Sequence, residues 1–219
     1  MLTMTSRKRN STDLPTYGFR LKFYLPAGRS FKGVHPQRRI CLGNIVGRVH
    51  LVKLPQPKRH RFGAPTRHAL VGKGFKTHET ALDCGRRLKR VMALLAAERQ
   101  LGLDAGNDKS TASSSQAIKD AIATQHECQL RDDVHGLDVY VEQPPVTRFA
   151  FEGYGSGAHI IEDYEDRLRM FYDANISLTS KQQLALDLYN LTHFENTTKT
   201  RFLTLITVVE ILELFRNKR

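Results

Sequence analysis

The chain has 219 residues, enough for one or two domains, with 40% hydrophobic and 26% charged residues and a formal net charge of +12. Apolar residues recur in periodic blocks, which points away from a low-complexity chain, and the longest apolar run, Phe202 to Phe215, is cut by Thr and Glu and falls short of the ~20 residues a bilayer span needs. The charge is uneven: residues 1–90 carry 21 Lys and Arg against 3 Asp and Glu, and residues 91–219 carry 13 against 19, so the N-terminal half is the part suited to a polyanion such as RNA or DNA.

Residues 1–15 read as a disordered basic tail; no apolar segment follows Arg7, Lys8 and Arg9, so no signal peptide is expected. Tyr17 to Leu25 alternates, with Tyr17, Phe19, Leu21, Phe23 and Leu25 on one face and Arg20, Lys22 and Tyr24 on the other, as in a half-buried strand. Pro26, Gly28 and Gly33 mark a loop. Ile40 to Leu54 is β-rich and breaks near Gly43–Asn44, Pro55 and Pro57 open a second loop, and His68 to Phe75 reads as another strand. Thr77 is an N-cap with Glu79 near the helix start. The helix that follows places Ala81, Leu82, Gly85, Leu88, Met92, Leu95 and Ala96 on one stripe and ends near Gly102. Residues 16–103 thus predict a small α+β domain of short strands packed on one long helix.

Residues 104–116 are Ser-rich and read as a flexible linker. Within 117–152, which extends the N-terminal domain, come a short helix from Ala117 to His126, a turn at His135–Gly136, a strand from Leu137 to Val141 and a short strand at Arg148 to Phe151. The glycine cluster at 153–158 reads as a hinge. Beyond it, 159–219 has helical periodicity: Ile160 to Ala174, then a helix opened by Thr179 or Ser180 with Gln three residues on, then Thr197 onward. Three helices with short connections predict an incomplete antiparallel bundle. The last of them is apolar on most sides, so residues 197–216 call for self-association or a protein partner.

Residues 179–212, TSKQQLALDLYNLTHFENTTKTRFLTLITVVEIL, resemble the helix pair of the HEPN superfamily in its Apea-like bacterial branch. The match is carried by Ala185, Leu186, Leu188, Tyr189, Arg201, Phe202, Leu203, Leu205, Val209, Glu210 and Leu212. The upstream GKGFKTHETALDCGRRLKRVMALLAAERQLGLDAG and DVHGLDVY are similar to the region that accompanies such domains. The resemblance implies a helical bundle that often dimerises, links to phage defence and to plasmids or other mobile elements, and, in active members, RNA cleavage by an Arg-x(4–6)-His pair. That pair is missing from the helical region and no His follows Glu210, so a non-catalytic, truncated relative is expected. The rival readings are a HEPN-type ribonuclease component completed by a partner, and a sequence-tolerant nucleic-acid-binding module.

No catalytic residue is assigned. Arg61 to His68 matches Arg-x(6)-His but lies in a Pro- and Gly-containing loop, where a rigid acid–base pair is not expected. Lys58, Arg59, Arg61 and Arg67, with His60 among them, form the candidate nucleic-acid contact, because clustered cations release counterions from phosphates. Asp132, Asp133, His135 and Asp138 match no metal-ligand spacing and read as solvated turn carboxylates. Glu210 on an apolar helix is expected to need an ion-pair partner such as Arg201. GYGSG lacks both a P-loop ending and the acidic residue of a dinucleotide site, so no cofactor is expected. Cys41, Cys84 and Cys128 stand singly, which points away from disulfides and zinc and toward a reducing, cytoplasmic setting.

Overall fold

A computed structural model of the chain describes residues 15–31, 39–40, 47–54, 65–148, 159–161, 164–195 and 197–216. Its centre is β1 (Tyr17–Leu25), whose Phe19, Leu21, Phe23 and Leu25 are fully buried. Strict alternation makes one side of this strand hydrocarbon, and both its edges are paired antiparallel, with β5 (Thr66–Phe75) and with β8 (Asp133–Val141). The antiparallel sheet runs β3 (Arg39–Ile40), β4 (Arg48–Lys53), β5, β1, β8, and β6 (Lys109–Ala112) extends it along the first residues of β8. The α+β fold class expected from the alternation and the helical stripes is the one observed.

One helix, α1 (His78–Glu98), covers the apolar face. Thr77 caps it through a reciprocal capping box in which Thr80 fills the third position. Gly85 lets the helix approach β8: a Cβ there would lie 2.4 Å from Leu137 Cδ1. The opposite flank of α1 receives α3 (Tyr164–Asp173) and α4 (Ser180–Leu191). Tyr164, Leu168 and Tyr172 of α3 therefore belong to the same hydrophobic core as the sheet and α1. The expected hinge at 153–158 lies outside the described residues. α5 (Thr198–Arg216) packs on α4 and on the 3-10 turn Thr192–Phe194 that joins them.

Several local expectations are corrected. His159–Ile161 form β10, paired parallel with β2 (Arg29–Phe31), where the residue pattern predicts a helix start and a loop; the helix begins at Tyr164. Gly136 is inside β8 and not in a turn. Its φ of +113° and the approach of Asp108, whose Oδ1 accepts from the Leu137 N–H at 2.7 Å, explain the glycine. The start of the supposed linker is fastened down: Asp104 and Tyr24 exchange backbone hydrogen bonds at 2.9 and 3.0 Å, and Lys89 holds both the Gly106 carbonyl and Asp108. α2 (Gln116–His126) then leads into β7 (Gln129–Arg131), which pairs parallel with β9 (Val146–Arg148). No described helix is long and apolar enough to cross a membrane.

Candidate nucleic-acid interface

The side of the sheet turned away from α1 carries the charge. Arg20, Lys22 and Tyr24 alternate with the buried residues of β1, and their cross-strand neighbours on β5 are Val71, Ala69 and Arg67. Tyr24 gathers cations: the Arg67 guanidinium lies 5.6 Å from its ring centroid and the Lys22 ammonium 5.5 Å, while the His135 ring lies 4.3 Å away. Arg20 and Lys22 are not free, since both hold Asp133, Arg20 at 2.8 Å. Burial pushes the Asp133 carboxyl up, but hydrogen bonds and charge from Lys22 and Arg20 outweigh that and hold it below its ordinary value.

Further along the same face, Arg48 of β4 stands directly opposite Lys73 of β5. Both are exposed, and neither has an ion-pair partner among the described residues. Like charges side by side on neighbouring strands repel, and only solvent or an external anion relieves them.

Of the four cations expected to contact nucleic acid, Arg67 is placed on this face, whereas Lys58, Arg59 and Arg61 lie outside the described residues. Arg48 and Lys73 escape a reading of the sequence because isolated cations on two separate strands show no cluster there. His68, the partner in the formal Arg-x(6)-His match, is fully buried, with its ring 5.8 Å from Phe23 and 5.5 Å from Phe31. Its Nε2 lies 3.3 Å from Ser30 Oγ, and burial lowers its pKa to about 4. A ring sealed in the core cannot exchange protons with a substrate.

The carboxylates and imidazole between positions 132 and 138 point apart. Asp132 pairs with Lys119, Asp133 with Arg20 and Lys22, Asp138 with Arg131, and His135 faces Asp104. No group of three or more His, Cys, Asp or Glu among the described residues is arranged to hold a metal ion. Glu210 is exposed on α5, as is Arg201, and no ion pair joins them. The expected pair is unnecessary, because solvent removes the cost of burying the carboxylate.

A cavity of about 450 Å³ with a mixed polar and apolar lining opens between α1, the 103–107 loop, β8 and α4. Lys89, Asp104, Asn107, His135 and Asp187 line it. Burial raises the Asp187 carboxyl above its ordinary pKa, against a hydrogen bond from Gln183 at 2.9 Å. Lys89 is already committed to Asp108 and the Gly106 carbonyl, and no hydroxyl or thiol lines the cavity, so it offers no nucleophile–base pair.

Searched against known proteins, the chain matches no family model, and neither a curated protein nor a solved structure shows significant similarity to it.

Proposed function

We propose that this protein is a non-catalytic, sequence-tolerant nucleic-acid-binding protein that works in a reducing, cytoplasmic setting and contacts phosphates through the sheet face opposite α1. The unrelieved Arg48–Lys73 juxtaposition carries the reading, with Arg67 beside Tyr24 on the same face; Lys58, Arg59 and Arg61 precede Arg67 in the sequence. The free Cys84 and Cys128 suit the reducing setting. Cation-driven binding weakens linearly in log–log against salt, with a slope of about −0.7 per phosphate contact on single strands. Fluorescence anisotropy with a labelled single-stranded oligonucleotide, read across a salt series, tests it. Arg48→Gln with Lys73→Gln should make the slope shallower by about one to two such contacts. Binding that is absent or indifferent to salt discards the proposal.

A second reading concerns α5 and keeps the HEPN-like, incomplete bundle as its premise. Phe202, Leu203, Ile206, Val209 and Leu212 are exposed, Phe202 to 60% and Val209 to 52%. Lys199, Phe202, Ile206, Val209 and Glu213 recur at spacings of three and four, so they share one stripe that begins in a cation and ends in an anion. Two copies of α5 laid antiparallel about Ile206 set each Lys199 against the other copy's Glu213. This charge pattern favours a second copy of the chain as the cover, through a two-fold interface. Sedimentation should show a dimer that Ile206→Glu dissociates. The exchange pair Lys199→Glu with Glu213→Lys should dimerise again where Lys199→Glu alone does not. A wild-type monomer at all concentrations, with one sharp cooperative melt, removes this reading.

A further inference from the structure

Asp104 and Asp187, far apart in the chain, line the same cavity of about 450 Å³ between α1, β8 and α4. The protein bonds each carboxylate at one oxygen only. Asp104 Oδ1 accepts from the Gly106 N–H at 3.0 Å and lies 3.5 Å from His135 Nε2, while Asp187 Oδ1 accepts from Gln183 Nε2 at 2.9 Å. Neither Oδ2 has a hydrogen-bond or ion-pair partner among the described residues. Lys89 also lines the cavity, but its ammonium is bound to Asp108 at 2.7 Å and to the Gly106 carbonyl at 2.8 Å. Burial pushes the Asp187 carboxyl up and the Asp104 charge adds to the shift; the Gln183 hydrogen bond and the Lys89 charge do not offset them.

Hydrocarbon completes the lining. Leu103 and Leu191 both face the cavity, and Leu191 follows Asp187 by four positions, so the two share one face of α4. Leu191 is 37% exposed, which leaves its side chain open to a ligand. An anion entering here would meet two carboxylates, and a neutral apolar molecule would dry them without giving them a partner. A bare divalent metal ion needs more oxygen ligands than these carboxylates supply, and no group of three or more His, Cys, Asp or Glu among the described residues is arranged to hold one. An organic cation satisfies both parts of the wall: its N–H groups donate to the free carboxylate oxygens and its alkyl chain covers the leucines. The volume lies in the range of small-molecule pockets, roughly 300–1,000 Å³.

We infer that this cavity binds a small aliphatic amine as its ammonium ion, with Asp104 and Asp187 accepting its N–H donors and Leu103 and Leu191 packing against its hydrocarbon chain. The inference stands apart from the nucleic-acid reading and from the α5 interface, because none of these four residues belongs to the cationic sheet face or to the exposed stripe of α5.

The probe is n-butylammonium chloride added to the full-length protein at constant ionic strength, with amide resonances followed by NMR and neutral n-butanol as the control of equal length. Butylammonium should shift the resonances of residues 103–107 and of α4 around Asp187 saturably, and butanol should not. Asp187→Asn keeps the shape and the acceptor for Gln183 while removing a charge that burial disfavours. It should therefore resist urea at least as well as the wild type, yet weaken butylammonium binding at least about tenfold. Leu191→Ala should weaken butylammonium more than methylammonium, since only the longer chain reaches the leucines. Shifts that never saturate, equal shifts with butanol, or unchanged affinity in Asp187→Asn overturn the proposal. Displacement of butylammonium by magnesium or calcium chloride at the same ionic strength also overturns it, because the site would then read charge without the alkyl chain.

Discussion

Arg87 grips Tyr172 in two ways at once: its guanidinium lies 4.0 Å from the ring centroid, and its Nε donates to the Tyr172 carbonyl at 2.9 Å. The Tyr172 hydroxyl in turn reaches Cys84 Sγ at 3.8 Å, so α3 is fastened to α1 through one aromatic residue. Burial dominates the chemistry of that contact, pushing the Cys84 thiol up to about 11.

Replacing Arg87 with Ala should cost roughly 2 kcal/mol, the sum expected from a partly desolvated cation–π contact and a charge-assisted hydrogen bond. Lys should restore little, since an ammonium cannot stack and donate in that fork geometry. Urea denaturation measures both. A loss below about 0.5 kcal/mol, the range of an ordinary surface change, removes Arg87 as the clasp between α1 and α3.

His68 makes stability depend on pH. Its folded pKa lies at about 4 against 6.5 for the free ring, so the unfolded chain binds the extra proton first. Stability contributed by the neutral ring is complete above pH 6.5 and is lost as pH falls toward 4. Each tenfold difference in proton affinity between the folded and unfolded chain is worth about 1.4 kcal/mol, which makes the loss roughly 3 kcal/mol. The difference in unfolding free energy between the wild type and His68→Leu should change by that order across pH 6.5 to 4. A constant difference contradicts the assignment.

Gly136→Ala should destabilise the fold by more than ~1 kcal/mol, because a φ of +113° strains any side chain and the new methyl meets the Asp108 backbone. Thermal or urea denaturation reads the loss. Unchanged stability means that β8 can adopt an ordinary extended backbone there, and that the Asp108 hydrogen bond to Leu137 does not hold the loop in place.

Thr179→Ala removes the bond that Thr179 Oγ1 accepts from the Gln182 N–H, keeps the one its own N–H donates to Gln182 Oε1, and should cost about 1 kcal/mol. Thr179→Asn, which caps as well, should keep the stability of the parent. Equal losses in the two variants indicate that Thr179 acts through packing and not through the cap.

Much of the framework was legible in the residues because its causes are local. Alternation from Tyr17 to Leu25 assigned the buried face of β1, Thr77 and the stripe from Ala81 to Ala96 marked α1, and Thr179 or Ser180 with a Gln three residues on marked the start of α4, where the structure selects Thr179. These signals depend on the period of a strand or helix and on a hydrogen bond three residues away. Segments read as loop or linker failed where distant partners decide. Residues 104–108 look flexible by composition, yet Tyr24, Lys89 and Leu137 hold them.

The amino-acid sequence by itself determined that the first 90 residues are strongly basic and that the last helix is apolar on most sides. Which cations face each other was decided only by tertiary structure. Arg48 meets Lys73 through a strand register, a pairing of residues 25 positions apart in the chain. Charge composition is a sum over residues, whereas an anion site depends on distance. The distance between Arg48 and Lys73 is set by the register of β4 on β5, not by any pattern near the residues themselves.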